Sequence, residues 1–431
     1  MLIAMERISY PILSRLIYSA LWYGLLPVLL LIILLRSIRQ SGYRRNLGER
    51  FSFYPTRTVA PIWLHAASLG EIKAATPLLE ALRSEYPTLS LLITCQTPAG
   101  RLAATALPFN DCHVVYLPFD IGWMVRRFLR HFKPRIALVF ETEIWPVLFL
   151  EVHRSATPLM IINARMTGRS LTRYSRVGGV FRAALALPDI IACQNQENAA
   201  RYLQAGASAE ALCVTGNIKW DFAPDRNLVD QTDARRATWP QRPVWMAAST
   251  HELEETSVLE MHAALSVSHP HALLLWAPRH PERFGAVASQ AEALGFISTR
   301  RSLQAWPDSR TQIFIIDTLG ELTGFMPCAD VVFVGGSLQA IGGHNVMEPA
   351  AYGKPILVGP HTSNFSDSVE VLRQAGGLLQ CADAETMQIE LLELLADESK
   401  RVKMAKANAD AMAENQGALE KTKALINQRL R

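Results

Sequence analysis

A glycine-rich stretch in the 431-residue chain carries the clearest chemical signal: Gly335-Gly336-Ser337-Leu338-Gln339-Ala340-Ile341-Gly342-Gly343-His344-Asn345-Val346-Met347-Glu348. The apolar run Val331–Val334 leads into it and reads as a strand; the pattern starts a helix at Asn345. Glycines at a strand end let a ligand come close to the backbone. A helix N-terminus adds free N–H groups and partial positive charge, which suit a phosphate. Glu348, one turn in, can accept hydrogen bonds from a ribose diol. The stretch reads as a nucleotide site, although a turn that only closes a sheet edge has the same composition. It follows neither the G-x-x-x-x-G-K-[ST] order of a P-loop nor the G-x-G-x-x-G order of a dinucleotide fold.

The first half of the chain offers acids and bases at other strand ends. In Ile62-Trp63-Leu64-His65-Ala66-Ala67-Ser68-Leu69-Gly70-Glu71 a strand passes into a helix. Ser68 and Glu71 have capping-box spacing. Glu71 is also placed to act as general base, because an attacking sugar hydroxyl must lose its proton in the transition state and a helix N-terminus favours the ionised carboxylate. His65 is a rival base, better explained as a core residue. Glu141-Thr142-Glu143-Ile144-Trp145-Pro146 sets two carboxylates at another strand end, where they are costly unless paired or solvated. Glu141 is the better candidate for a ligand-facing role, with a plain helix start as the alternative. Arg165 and Arg169 in Asn163–Ser170 suit phosphate recognition, or surface ion pairs. Lys219 in Gly216–Asp221 can neutralise a carboxylate or phosphate, or be a solvated hinge residue.

In the second half, Pro278-Arg279-His280-Pro281 presents a basic pair in a loop fixed by two prolines, which favours an anion site. Asp317-Thr318-Leu319-Gly320-Glu321 begins a helix whose Glu321 can bond a base or ribose, the alternative being a simple N-cap. Polar or glycine residues thus follow strands ending near 248, 277, 316 and 334, and convergence of several strand ends outweighs any one motif.

The elements that must hold these residues alternate strand and helix. Apolar runs at Ile62–His65, Leu89–Thr94, His113–Leu117, Arg135–Phe140, Pro158–Asn163, Asp189–Cys193 and Leu212–Thr215 predict one parallel sheet. Val244–Ala248, Ala272–Ala277, Thr311–Ile316, Asp330–Val334 and Pro355–Gly359 predict a second. Arg169–Leu187 is expected to be one helix. The polar, proline-bearing stretch 221–243 is expected to be a linker. The divisions expected are an anchor at 1–36, a first Rossmann-like domain at 37–220, that linker, a second Rossmann-like domain at 244–398, and a C-terminal helix at 399–431 packing back toward the first. Ligands in open parallel sheets bind beyond the carboxyl ends of the strands.

Bulk properties narrow the class. Net charge is only +4, too mild to argue for a nucleic-acid partner. The six cysteines include no C-x-x-C pair, so buried reduced thiols are expected rather than disulfides or zinc. Ile17–Leu35 is apolar apart from a few small or polar residues and, at about 19 residues, near the minimum for crossing a bilayer. Arg36, Arg39, Arg44, Arg45 and Arg50 follow it, against Arg7 and Arg15 before it, which places the bulk of the chain in the cytoplasm. Pro27 leaves open a kinked helix lying in one leaflet.

In order along the chain, Gly48-Glu49-Arg50-Phe51, His65-x-x-Ser68-x-Gly70-Glu71, Glu141-Thr142-Glu143-Ile144-Trp145-Pro146, Asn163-Ala164-Arg165-Met166, Thr215-Gly216-Asn217-x-Lys219, Pro278–Phe284 and Gly342-Gly343-His344-Asn345-x-x-Glu348-Pro349 are similar to the motifs of one family. The chain resembles the Kdo transferases, membrane-associated glycosyltransferases of lipopolysaccharide assembly. The resemblance implies an α/β GT-B fold, two Rossmann-like domains facing across a cleft, with an N-terminal membrane helix. It implies CMP-Kdo as donor, the lipid A precursor as acceptor, and an inverting mechanism at the inner membrane with Glu71 as base. Glu141 and Lys219 match positions assigned to transition-state stabilisation. Arg279, His280, Leu319, Gly320, Glu321, Gly336, Ser337, Gly343, His344, Asn345, Val346, Met347 and Glu348 match the CMP side. Ser68, Gly70, Arg165 and Arg169 fall to the acceptor. Leu319, Val346 and Met347 depart from the usual residues by apolar swaps that leave backbone contacts possible. A nucleotide-sugar epimerase shares this fold but needs no anchor; a membrane-tethered nucleotide or glycan binding protein needs no base.

No cofactor or metal is expected. No Asp-x-Asp pair stands at a strand end to hold Mg²⁺, and cationic side chains with helix N-termini can stabilise a departing phosphate. Transfer should therefore persist in EDTA; loss of turnover restored by Mg²⁺ would contradict this.

Overall fold

Fourteen strands form two sheets in the computed structural model, which describes residues 12–39, 41–55, 60–222, 226–303 and 306–430. Arg7, the first residues of the expected anchor, and 223–225 of the expected linker lie outside these. The chain divides into two units, residues 1–221 with 416–431, and residues 222–415.

Unit 1 holds β1 (Ile62–His65), β2 (Leu91–Cys95), β3 (Cys112–Tyr116), β4 (Ile136–Phe140), β5 (Leu159–Ala164), β6 (Ile190–Cys193) and β7 (Leu212–Val214). They lie in the order β3-β2-β1-β4-β5-β6-β7. Every pairing is parallel, with His65 beside Thr94 on one side and Val139 on the other. Helices cover both faces. That is why β1, β2, β4, β5 and β6 are buried along their whole length rather than in alternation. Trp63, Phe128, Phe132 and Phe149 fill one face; Leu64, Leu78, Leu82 and Phe140 fill the other.

Unit 2 holds β8 (Val244–Thr250), β9 (Leu273–Pro278), β10 (Ser298–Arg300), β11 (Ile313–Ile315), β12 (Val331–Val334), β13 (Ile356–Val358) and β14 (Leu378–Gln380). Their order is β10-β11-β9-β8-β12-β13-β14, again all parallel. Both sheets are doubly wound. The strand order reverses between β1 and β4 in unit 1 and between β8 and β12 in unit 2, and ligands bind at such switch points.

The differences from the sequence reading have local causes. β10 and β14 are three-residue edge strands, too short to give an apolar run. The expected helix Arg169–Leu187 is two, Gly168–Val177 and Gly179–Leu185, broken where Gly178 takes φ 81°. About half of the stretch expected as a linker folds as the helix Arg226–Arg236, with Thr232 donating to the Gly324 carbonyl and fully covered within unit 2. The C-terminal run is two helices, Glu398–Asn415 and Ala418–Leu430, parted at Gly417 (φ 94°). In unit 1, Asp221 accepts the Gly417 and Leu419 N–H groups at 2.6 and 2.7 Å, and Tyr86 donates to Asn427 at 2.9 Å. None of the six cysteines is joined in a disulfide.

The 3-10 turn Leu47–Phe51 is welded to the edge of the first sheet. The buried Glu49 carboxylate pairs with Arg101 and accepts the Tyr116 N–H at 2.8 Å, and the Arg50 guanidinium donates to Gln96 and lies over the Tyr116 ring. Glu49→Ala leaves a buried N–H and a partly buried arginine without their carboxylate. It should destabilise unit 1 by about 3 kcal/mol, read as faster amide exchange at Tyr116 with unit 2 exchange unchanged.

Candidate active site

In unit 1 the residues with chemical potential collect after β1, β4 and β5. Ser68 caps the Leu69–Glu85 helix through the Glu71 N–H, and Glu71 folds back: its Oε2 accepts the Ala67 N–H at 2.7 Å and its Oε1 accepts the Ser68 hydroxyl at 2.9 Å. Half of the expected capping box is present: Ser68 caps the Glu71 N–H, but the Glu71 carboxylate reaches past the N-cap to the Ala67 N–H. A carboxylate has about four acceptor sites, so two bonds hold its orientation without exhausting it, and Glu71 remains partly exposed. Burial raises its pKa above the ordinary value; the Ala67 N–H opposes this, while the nearby Glu143 and Glu141 charges raise it further.

Those two acids sit where the chain leaves β4. Glu141 adopts φ 57°, a left-handed conformation that costs about 1–3 kcal/mol for a non-glycine residue and collects at functional sites. Its Oε1 receives Lys219 Nζ at 2.7 Å, and its carbonyl accepts the Tyr202 hydroxyl at 3.2 Å. Lys219 is held in place from β5: Asn163, fully buried at φ 51°, accepts the Ile218 N–H on its side chain at 3.0 Å and fixes the turn that carries the lysine. Glu143 accepts Trp145 Nε1–H at 2.9 Å and faces His65 Nε2 at 3.6 Å, longer than a hydrogen bond. Burial works against the Glu143 charge, but the His65 ring and the Trp145 N–H outweigh it, so its pKa lies below the ordinary value. His65 is a buried core residue held by Thr94, as its place in the strand suggested.

Gly70 opens the same helix turn beside Ser68. Arg165 follows β5, its carbonyl accepting the Thr142 hydroxyl at 2.5 Å. Arg169 lies apart on the Gly168–Val177 helix, where it shares an open hollow with Thr172, Arg173 and Arg176.

In unit 2 the helix expected from Asn345 starts at Met347, and the glycine-rich turn before it is held from within the fold. Its first N–H groups are not free for a phosphate. Glu254, fully buried on the helix after β8, accepts the Gly336 N–H at 2.7 Å, Ser337 at 3.1 Å, Leu338 at 3.0 Å and His251 at 3.0 Å. Gly335 presses so close to the Ser249–Thr250 backbone that a Cβ would stand 2.7 Å from the Ser249 oxygen. Ser337 is buried, donating to the Val334 carbonyl and accepting the Gly359 N–H. Val346 and Met347 are buried in the core, so only their backbone is available to a ligand.

What remains accessible is a cluster of basic rings. His251 and His344 stack with centroids 5.1 Å apart and Nε2 atoms 2.8 Å apart, and the His280 ring lies edge-on to His251 at 5.1 Å. Exposed Arg279 stands nearby. Burial first, then Arg279, His251 and His280, push the His344 pKa down to about 4, and burial lowers His251 as well. Asn345 donates to Glu348 at 3.1 Å and accepts the Met347 N–H. Gly343 (φ 77°) donates to the Gly336 carbonyl at 2.6 Å, folding the turn on itself. Leu319 is exposed and Gly320 turns at φ 88°. Glu321, read as a ribose or base ligand, is engaged by Arg301 at 2.9 Å and by the Thr318 hydroxyl. No role was assigned from sequence to Asn163, Glu254 or His251. The fixed spacing His251-x-x-Glu254 at a helix start was the available signal for the last two, whose capping box the structure contains.

Two doubly wound parallel-sheet domains, each with polar side chains gathered at its switch point, have the architecture of GT-B glycosyltransferases. That fold is shared with the UDP-GlcNAc 2-epimerase of Neisseria meningitidis bound to UDP-GlcNAc, at a TM-score of 0.56 and 14% identity over 86% of this chain and 99% of that one. Residues 45–222 match the family model described as 3-deoxy-D-manno-octulosonic-acid transferase (kdotransferase). The chain is 36% identical over 412 residues to the 3-deoxy-D-manno-octulosonic acid transferase of Haemophilus influenzae, covering 94% of this chain and 96% of the relative. It is 35% identical over 424 residues to that of Bordetella pertussis, covering 95% and 98%. The chain belongs to the 3-deoxy-D-manno-octulosonic acid (Kdo) transferase family.

Removing the Glu254 carboxylate should leave the turn's N–H groups unpaired and the His251–His344 pair unsupported. Glu254→Ala is expected to destabilise unit 2 by about 2–3 kcal/mol, read as faster amide exchange at Gly336 and Ser337; unchanged exchange would show that the turn holds its shape without it.

Proposed function

We propose that the chain moves Kdo from CMP-Kdo to a phosphorylated, acylated glucosamine disaccharide, the lipid A precursor (lipid IVA), with inversion at the anomeric carbon, at the cytoplasmic face of the inner membrane. The observation that carries the reading is the Glu71 carboxylate at a helix start, its proton affinity raised first by burial and then by the nearby Glu143 and Glu141.

An acceptor hydroxyl oxygen bonds to the anomeric carbon of Kdo as the bond from that carbon to the CMP phosphate oxygen breaks. The hydroxyl proton passes to Glu71, and CMP departs as a phosphate monoester carrying the electron pair. A base is most effective when its pKa is near the working pH. The raised Glu71 pKa moves it in that direction. The Lys219–Glu141 pair keeps a cation beside the acids, limiting their mutual repulsion. Arg279, His280 and the Asn345–Glu348 turn are the groups assigned to cytidylate, and Leu319, Gly320 and Gly343 to it through the backbone. Ser68, Gly70, Arg165 and Arg169 are assigned to the acceptor, whose phosphates suit arginine. The reaction as written calls on no metal or organic cofactor. The apolar helix near the N-terminus suits an acylated acceptor and a membrane site.

The base assignment predicts an acid limb. Only ionised Glu71 accepts the proton, so kcat falls as pH drops through its pKa, above the 4.5 of an ordinary glutamate. Glu71→Gln should abolish transfer and keep CMP binding. Glu143→Gln removes a neighbouring negative charge and should shift the limb to lower pH. Normal turnover in the first variant, measured by mass spectrometry of product from CMP-Kdo and lipid A precursor, would refute the role of Glu71.

A further inference from the structure

The Ile12–Arg39 helix is long and apolar enough to span a bilayer by length and composition. Its two sides are exposed to different degrees. Tyr18, Trp22, Leu26, Leu29, Leu30 and Ile33 form one stripe at helical spacing, and that stripe is partly buried against the rest of unit 1. Ile33 is buried. Trp22 meets both Phe119 and Trp145 with centroids 6.1 Å apart, and Tyr18 meets Phe181 edge-on at the same distance. Tyr18 also donates its hydroxyl to Asp120 at 2.8 Å. Asp120 is a buried carboxylate that accepts the Val147 and Leu148 N–H groups at 3.0 and 2.7 Å and so caps the Pro146–Arg154 helix. The outward side carries Leu16, Leu21, Leu25, Val28, Leu31 and Leu35, each more than half exposed.

From Tyr18 to Ile33 the covered stripe runs about 22 Å at 1.5 Å per residue, most of the roughly 30 Å of hydrocarbon a spanning helix must cross. A helix that spanned would either carry these covering elements into the hydrocarbon or shed them. The first option buries in lipid the Gly122–Phe132 helix, whose Met124 packs in the same cluster and whose Arg126, Arg127 and Arg130 are exposed, along with loops whose backbone needs water. The second leaves the Asp120 carboxylate without its phenol and exposes the aromatic cluster. Neither cost arises if the helix lies flat.

We infer that the Ile12–Arg39 helix does not cross the membrane. It lies in the plane of one leaflet, its Leu21–Leu25–Val28 side in the acyl layer and its Tyr18–Trp22–Ile33 side glued to unit 1. The inference rests on the membrane location proposed above. In this geometry the anchor is also part of the catalytic unit, since Trp22 packs on Trp145, whose N–H holds Glu143. Arg36, which lies over the Tyr43 ring, and exposed Arg44 and Arg45 would sit at headgroup level, where anionic lipid holds them.

The test is the sidedness of the two chain ends. The full chain carries a protease-cleavable epitope at either terminus and is prepared in right-side-out and in inverted inner-membrane vesicles. Lying flat puts both epitopes on the cytoplasmic side, cleaved in inverted vesicles and protected in right-side-out ones. An N-terminal epitope cleaved only in right-side-out vesicles, with the C-terminal one cleaved only in inverted vesicles, means the helix spans; this overturns the inference and leaves the membrane location standing. Recovery of the chain in the soluble fraction after carbonate extraction overturns both.

Discussion

Negative charge crowded at the carboxyl edge of a parallel sheet is the constraint on which unit 1 depends. Parallel strands all end on the same side, so the residues after β1 and β4 at a switch point are neighbours whether or not their charges agree. Glu71, Glu141 and Glu143 meet there, and each is held by a different device. Glu71 is fixed by backbone and hydroxyl donors at its own helix start, Glu141 by the ammonium of Lys219, and Glu143 by an indole N–H, with an imidazole facing it. The left-handed backbone at Glu141 and Asn163 is the cost of bringing these devices together. What remains is one carboxylate with raised proton affinity, which is the property a general base requires.

Unit 2 treats the same topology differently. Its switch point also holds a buried acid, Glu254, but this one faces inward and gathers four backbone N–H groups. Glycines in the turn thus serve close packing of the chain on itself before they serve any ligand. The accessible polar chemistry passes to the rings of His251, His280 and His344 beside Arg279. Burial among like charges keeps His344 neutral at ordinary pH, which leaves Arg279 as the permanent cation of the cluster.

Much of this was legible from the residues alone. Continuous apolar runs gave β1 to the residue, and twelve of the fourteen strands to within about two residues at either end, a normal margin for strand boundaries. The two missed strands are edge strands with little to bury. The Ser68 cap on the Glu71 helix start and the acids after β4 were visible as types and spacing. Gly178 and Gly417, which divide expected single helices, were visible as residues but not as breaks, because a glycine inside a helical pattern is tolerated as often as it ends one.

By itself the sequence determined the two parallel sheets, the strand ends that carry chemistry, and the apolar segment near the N-terminus, because periodicity and local capping act between near neighbours in the chain. Only the tertiary structure decided which acid is held by which partner. Lys219 reaches Glu141 across 78 residues, Glu254 reaches Gly336 across 82, and Tyr18 reaches Asp120 across 102. It also decided that one face of the first helix is packed against protein, since an apolar side chain reads the same whether lipid or a neighbouring domain will cover it.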